Sequence, residues 1–136
     1  MKVELHKQIE MHELWCSSGG SQGEQLFGFD LDFTGLNLSG CNLSEALIPG
    51  AVFAGLVFDD VDLYGANLGG ANFNKATLVN VTLTKANLDN ADLRGAKVIG
   101  GSWFRATCAG AKFEGLEFSG TNLDRTYPDL RQYRRE

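Results

Sequence analysis

From Phe33 to Leu123 every fifth residue is apolar, nineteen positions without a break. A helix needs apolar residues three and four apart and a strand alternates in twos, so strict fives describe a coil that turns a corner in every unit. If four corners close one coil, residues twenty apart stack. The columns agree: Phe33, Phe53, Phe73, Leu93 and Phe113 carry four phenylalanines, and Leu43, Leu63, Leu83, Trp103 and Leu123 carry four leucines. Two residues before each centre sits a small or aliphatic residue, most often alanine, as at Ala66, Ala71, Ala86 and Ala91. The expectation is an all-β solenoid whose interior is filled by its own side chains, with no tunnel for a ligand.

Two residues after each centre lies the corner. Eleven of the 17 glycines occupy this slot, and Asp30, Asp60, Asn80 and Asn90 share it, as suits a position of positive φ. Lys75, Lys85 and Arg105 also fall there, which implies that not every corner demands that conformation.

The units Ala66-Asn67-Leu68-Gly69-Gly70, Ala86-Asn87-Leu88-Asp89-Asn90 and Ala91-Asp92-Leu93-Arg94-Gly95 resemble the A-(D/N)-L-X-X signature of the pentapeptide-repeat family. The resemblance implies a right-handed four-sided β-helix of about five coils, with strands ~4.8 Å apart and a rod roughly 23 Å long. It divides the chain into an N-terminal helical cap and glycine-rich turn (1–25), the repeat array (26–125) and a C-terminal cap or tail (126–136). Some gyrase-binding members of the family dimerise through their C-terminal ends, so the resemblance implies either a monomer or a dimer made in that way.

Residues 3–16 read as an amphipathic helix, with Leu5, Ile9 and then His12 or Met11 on one face, stopped by Ser17-Ser18-Gly19-Gly20. An open solenoid end exposes unpaired backbone and apolar core, so this helix is the expected lid, with Trp15 over the first coil. His6 and His12 are expected to pack rather than bind metal, since no partner ligand is spaced to complete a site. Entry into the array is irregular, because Gly28 stands where a bulky centre belongs. Trp103 is expected to fit because Gly101 beside it is small. After Leu123 the pattern fails at Thr126-Tyr127-Pro128, and Pro128 is suited to the first turn of a short helix over 129–135. Leu130 and Tyr133 of that helix must dock, on the last coil as a cap or on a second copy as a dimer contact.

Cys41 and Cys108 fall on inward positions and Cys16 in the leader, which suggests reduced thiols with neither disulfide nor metal. The start lacks the apolar stretch of a secretory signal, so the expected location is the cytoplasm, away from the membrane. The net charge of −5 is uneven: residues 26–74 hold six acids and no base, whereas the second half of the array is mildly basic.

No cofactor, phosphate loop or nucleophile with a nearby base is spelled out, which argues against an enzyme. Few bases and no interleaved aromatics argue against direct nucleic-acid binding. The first expectation is therefore a non-catalytic scaffold presenting flat faces to a protein partner. Candidate contact residues are the outward apolar Val79, Ile99 and Phe104, the acidic group Asp59, Asp60 and Asp62, and the stacked corner bases Lys85, Arg105 and Arg125. Across stacked rungs, Lys97 meets Glu117, Asp92 meets Lys112 and Arg94 meets Glu114, as compensating pairs. The alternative implied by the resemblance is a DNA mimic acting on a type II topoisomerase such as gyrase. A duplex of ~23 Å carries about 14 phosphates, whereas this array sets eleven acids against seven bases.

Overall fold

The computed structural model describes residues 2–135. It contains helix α1 (Lys2–Ser17), four short strands, β1 (Val57–Asp59), β2 (Thr77–Val79), β3 (Lys97–Ile99) and β4 (Glu117–Ser119), and one 3-10 turn (Arg131–Tyr133). The strands pair in the order β1-β2-β3-β4, all parallel, and each pairing advances by twenty residues: Phe58 with Leu78, Leu78 with Val98, Val98 with Phe118. Single bridges run in the same register on the other three sides, for example from Phe27 through Leu47, Asn67, Asn87 and Thr107 to Tyr127. Four sides at one common offset make a quadrilateral solenoid.

Its axis is filled by the centre residues. Phe33, Phe53 and Phe73 stack in sequence with ring centroids 4.8 and 4.9 Å apart, the vertical strand spacing, and all three are fully buried. Alanine beside many of the centres lets the walls close, and Ala46, Ala51, Ala66, Ala71, Ala76 and Ala91 have no exposure.

The second position of the signature has its own task. The Asn or Asp before a centre turns its side-chain oxygen onto the N–H two residues on: Asn67 accepts from Gly69 at 3.1 Å, Asn87 from Asp89 at 2.9 Å and Asp62 from Tyr64 at 2.9 Å. This closes the corner by side chain, so the corner N–H groups are free for the ladder.

Every corner residue from Asp30 to Arg125 has positive φ, including Glu45 (62°), Lys75 (59°), Lys85 (60°), Arg105 (61°) and Arg125 (58°). The expectation that basic residues mark relaxed corners is therefore overturned. Ladder bonds on both sides of each corner fix the geometry whichever residue stands there, as when Lys85 N–H donates to the Phe104 carbonyl at 2.8 Å.

The pairing of Gly101 with Trp103 is corrected as well. Gly101 has φ of 74°, and a Cβ on it would strike the Val81 backbone. Glycine is needed there by the neighbouring coil. Trp103 instead lies edge-on to Phe118, centroids 5.0 Å apart, with its indole N–H buried and without an acceptor. Volume compensation occurs elsewhere: a Cβ on Gly28 would lie 2.9 Å from Leu31 Cδ1, so the leucine fills the centre that the glycine vacates.

At the N-terminal end α1 buries Leu5, Ile9 and His12, while Met11 stays exposed. His12 chooses the face. Trp15 is not the lid; it stacks on His12 at 5.4 Å and remains half-buried.

At the other end no helix spans 129–135. Leu130 is fully buried and its N–H donates to Thr126 Oγ1 at 3.1 Å; Tyr133 stacks on Phe113 at 5.3 Å. After one 3-10 turn the chain extends, and Arg135 N–H donates to the Phe118 carbonyl at 2.6 Å, continuing the β4 edge. An unpaired edge offers this segment more hydrogen bonds than a short isolated helix would. The chain's own last coil thus takes up both candidate dimer contacts.

Candidate interaction surfaces

The proposed contact residues lie on two adjoining sides. Val79 and Ile99 are register partners in β2 and β3, both pointing outward, with Ile99 48% exposed and Val57, farther along the same side, 61% exposed. Phe104 stands across the corner on the next side, half-buried, with the Arg105 guanidinium 5.5 Å from its ring centre. The three therefore do not form one flat patch: the β1–β4 side carries Val79 and Ile99, and the adjoining side carries Phe104.

Asp59 ends β1, Asp60 occupies the corner and Asp62 opens the following side. They wrap around the rod. Because Asp62 accepts the Tyr64 N–H, it is partly committed to the fold.

Lys85, Arg105 and Arg125 do stack at one corner, as their spacing predicts, all exposed. The Lys85 ammonium lies 5.9 Å over the Tyr64 ring, so aromatic and basic groups adjoin on this edge after all. Beyond Arg105 an open cleft of about 670 Å³ is lined by Phe104, Asp124, Arg125, Thr126, Asp129 and Arg131. Arg131 is held there by Asp129 at 2.7 Å, and the two charges largely cancel.

The stacked ion pairs differ from expectation. Lys97 and Glu117 are register partners, yet the Glu117 carboxylate takes Arg135 at 2.7 Å. Asp92 takes Arg94 of its own turn at 2.8 Å, which holds the carboxyl below its usual range; Lys112, on the rung above, adds only a more distant attraction. An arginine two residues on reaches both carboxylate oxygens without crossing a coil.

One pair of chemically suggestive groups was not foreseen. Cys16 Sγ lies 3.4 Å from His12 Nε2 at the cap interface. The surrounding bonds decide what it can do. Leu26 N–H donates to His12 Nδ1 at 2.7 Å, so the proton sits on Nε2, which donates to the Ser44 carbonyl at 2.9 Å. Nε2 has no lone pair for the thiol proton. Burial, together with Asp62, Glu45 and Glu13, pushes the Cys16 thiol up. The i, i+4 spacing of His12 and Cys16 on α1 was the available signal, and the network makes the pair a structural latch. The Cys108 thiol, deep in the core, is pushed up to about 12 by burial. Among the described residues no group of three or more His, Cys, Asp or Glu could hold a metal ion, and no helix is long and apolar enough to cross a membrane.

The family pattern described as "Pentapeptide repeats", in 8 copies, matches residues 30–63, 37–74 and 62–98. No curated protein sequence matches the chain. Among solved structures, a pentapeptide repeat protein from the Arabidopsis thaliana thylakoid lumen is 28% identical, with a TM-score of 0.57 over 62% of this chain and 59% of its own. The chain thus spans less than two thirds of that protein. Rfr23 from the cyanobacterium Cyanothece 51142 is 24% identical, with a TM-score of 0.46 over 72% of this chain and 80% of its own. HetL from Nostoc sp. strain PCC 7120, described as involved in heterocyst differentiation regulation, is 21% identical, with a TM-score of 0.44 over 83% of this chain and 67% of its own. With its unbroken fives, side-chain-closed corners and four-sided parallel ladder, this chain belongs to the pentapeptide-repeat family.

Proposed function

We propose that the chain is a non-catalytic scaffold that binds a protein partner through its outer faces, chiefly the β1–β4 side. The observation that carries this reading is the juxtaposition of outward apolar residues, exposed Val57 and Ile99 with half-buried Val79 between their strands, on the one side where the strands are regular. A flat ladder holds such side chains rigidly, so little ordering cost falls on binding. The His12–Cys16 latch, which lacks a base for its thiol, supports the non-catalytic part.

The test compares proteins captured from extracts of the source organism by the unmodified chain, by Ile99→Glu and by Phe104→Glu. A partner lost with Ile99→Glu but retained by a Leu47→Glu control on another side is the expected result. Capture indifferent to both face substitutions would remove the reading.

The topoisomerase-mimic reading takes second place. The absence of any base between residues 26 and 74 favours it. Against it stand carboxylates spread over several corners and, in Asp62, partly committed to the fold. Inhibition or protection of purified gyrase in a supercoiling assay at micromolar protein is the outcome it requires.

A further inference from the structure

Phe27 and Phe29 stand apart from the chain's other phenylalanines. They are 59% and 67% exposed and touch each other edge to face, 5.4 Å between centroids, on the first rung of the side that continues through Leu47 and Asn67. One rung farther along, Leu47 donates its N–H to the Leu26 carbonyl at 2.9 Å and accepts the Gly28 N–H at 3.1 Å, while the Pro49 carbonyl accepts from Asp30 at 3.0 Å. Both Leu47 groups and the Pro49 carbonyl thus point toward the N-terminal end. By the same geometry Phe27 presents an N–H and a C=O, and Phe29 a C=O, to that open end, and none of these groups bonds within the described residues. The cap leaves them exposed. α1 meets this side at Leu26, whose N–H donates to His12 Nδ1 at 2.7 Å, and engages the neighbouring side, where Glu13 accepts the Asn42 N–H at 2.9 Å. Between α1 and the bare rung runs a groove of about 310 Å³, with Gln8, Met11 and Phe27 among its walls.

We infer that the rung 27–29 is a docking edge for an extended segment of a partner protein, one whose apolar side chains are flanked by basic residues. Three backbone groups at ladder spacing receive a strand, and the two rings and the groove receive its side chains. Charge selects the flanks: Glu24 precedes the rung, Asp30 follows it and Glu4 borders the groove, against Lys7 as the described cation lining it. A second copy fits poorly. Edge-to-edge pairing would oppose these carboxylates to their own counterparts, and a rung of three residues falls far short of the roughly 1,200 Å² that a stable interface buries. The inference rests on the scaffold reading only in that the rod binds protein. Its surface lies on a different side from Ile99.

The test titrates the full chain into a labelled peptide, Val-Phe-Val-Phe with paired lysines at both ends, and into its glutamate-flanked counterpart. The lysine peptide is expected to bind at least about tenfold more tightly, to weaken with added salt, and to slow hydrogen exchange at the Phe27 amide. The double variant Phe27→Ser, Phe29→Ser, with folding checked by circular dichroism, is expected to lose about tenfold in affinity. The single variant Phe29→Lys, which replaces an exposed ring and leaves the backbone intact, should also weaken binding of the lysine peptide. Ile99→Glu should leave peptide affinity unchanged, so this edge and the β1–β4 side fail or survive separately. Equal affinity for both peptides, full binding by the serine variant, an unprotected Phe27 amide, no binding up to about millimolar peptide, or concentration-dependent dimers that protect Phe27 would each overturn the inference.

Discussion

Gly101 and Gly120 share a left-handed backbone, φ 74° and 66°, but not a neighbourhood. A Cβ on Gly101 strikes the Val81 backbone, whereas on Gly120 it meets nothing within 4 Å. Gly120→Ala should therefore cost only the left-handed penalty, about 1 kcal/mol, and Gly101→Ala should cost about 3 kcal/mol or more because strain and overpacking add. Urea titrations of the two variants measure the difference. Lys85 is the converse case, a side chain in a conformation that disfavours it. Lys85→Gly should raise stability by about 0.5 kcal/mol, the relief of the left-handed penalty less the added freedom of glycine in the unfolded chain. The repeat made the glycine corners legible, but not that lysine and arginine corners share their geometry, because that constraint comes from ladder bonds twenty residues away.

Among the elements, α1 is joined to the first coils by buried polar contacts as well as apolar ones. Burial lowers the His12 imidazole from its ordinary value of 6.5, opposed in part by the Ser44 hydrogen bond and by the Glu13 and Glu45 carboxylates. In the window below 6.5 the unfolded chain takes up a proton that the folded chain resists, so stability should be full above about pH 6.5 and decline as pH falls from there. Thermal melts from pH 7.5 to about 5 check the direction, and His12→Gln should flatten the decline. At the C-terminal end Leu130→Ala should cost about 2–4 kcal/mol in urea melts, since the side chain is buried without exposure. Apolar spacing revealed the existence of both caps. It did not reveal their contacts: Leu26 N–H on an imidazole and Arg135 on the β4 edge involve residues that carry no repeat. The bare Phe27–Phe29 rung escaped for a related reason. Its exposure depends on where α1 lies, which periodicity does not encode.

At the scale of the whole rod each coil touches only the coil above and the coil below. Stability is therefore shared between neighbours, and hydrogen exchange should be slowest in the middle coils, around Leu63 to Leu88, and faster toward both ends. Amide exchange followed by mass spectrometry would show this gradient; uniform protection along the array would contradict it. The uniform advance of twenty residues per pairing, seen from Phe58 through Leu78 and Val98 to Phe118, has a consequence for how such a chain can change its size. Loss or gain of one residue inside the array would put every later centre out of line with its column, whereas a duplicated stretch of a full circuit would slot in unnoticed by its neighbours and make the molecule taller by one storey of ~4.8 Å. Genes for rods of this kind can thus lengthen or shorten cleanly only in whole storeys, and the two ends, which obey no such rule, are free to diverge.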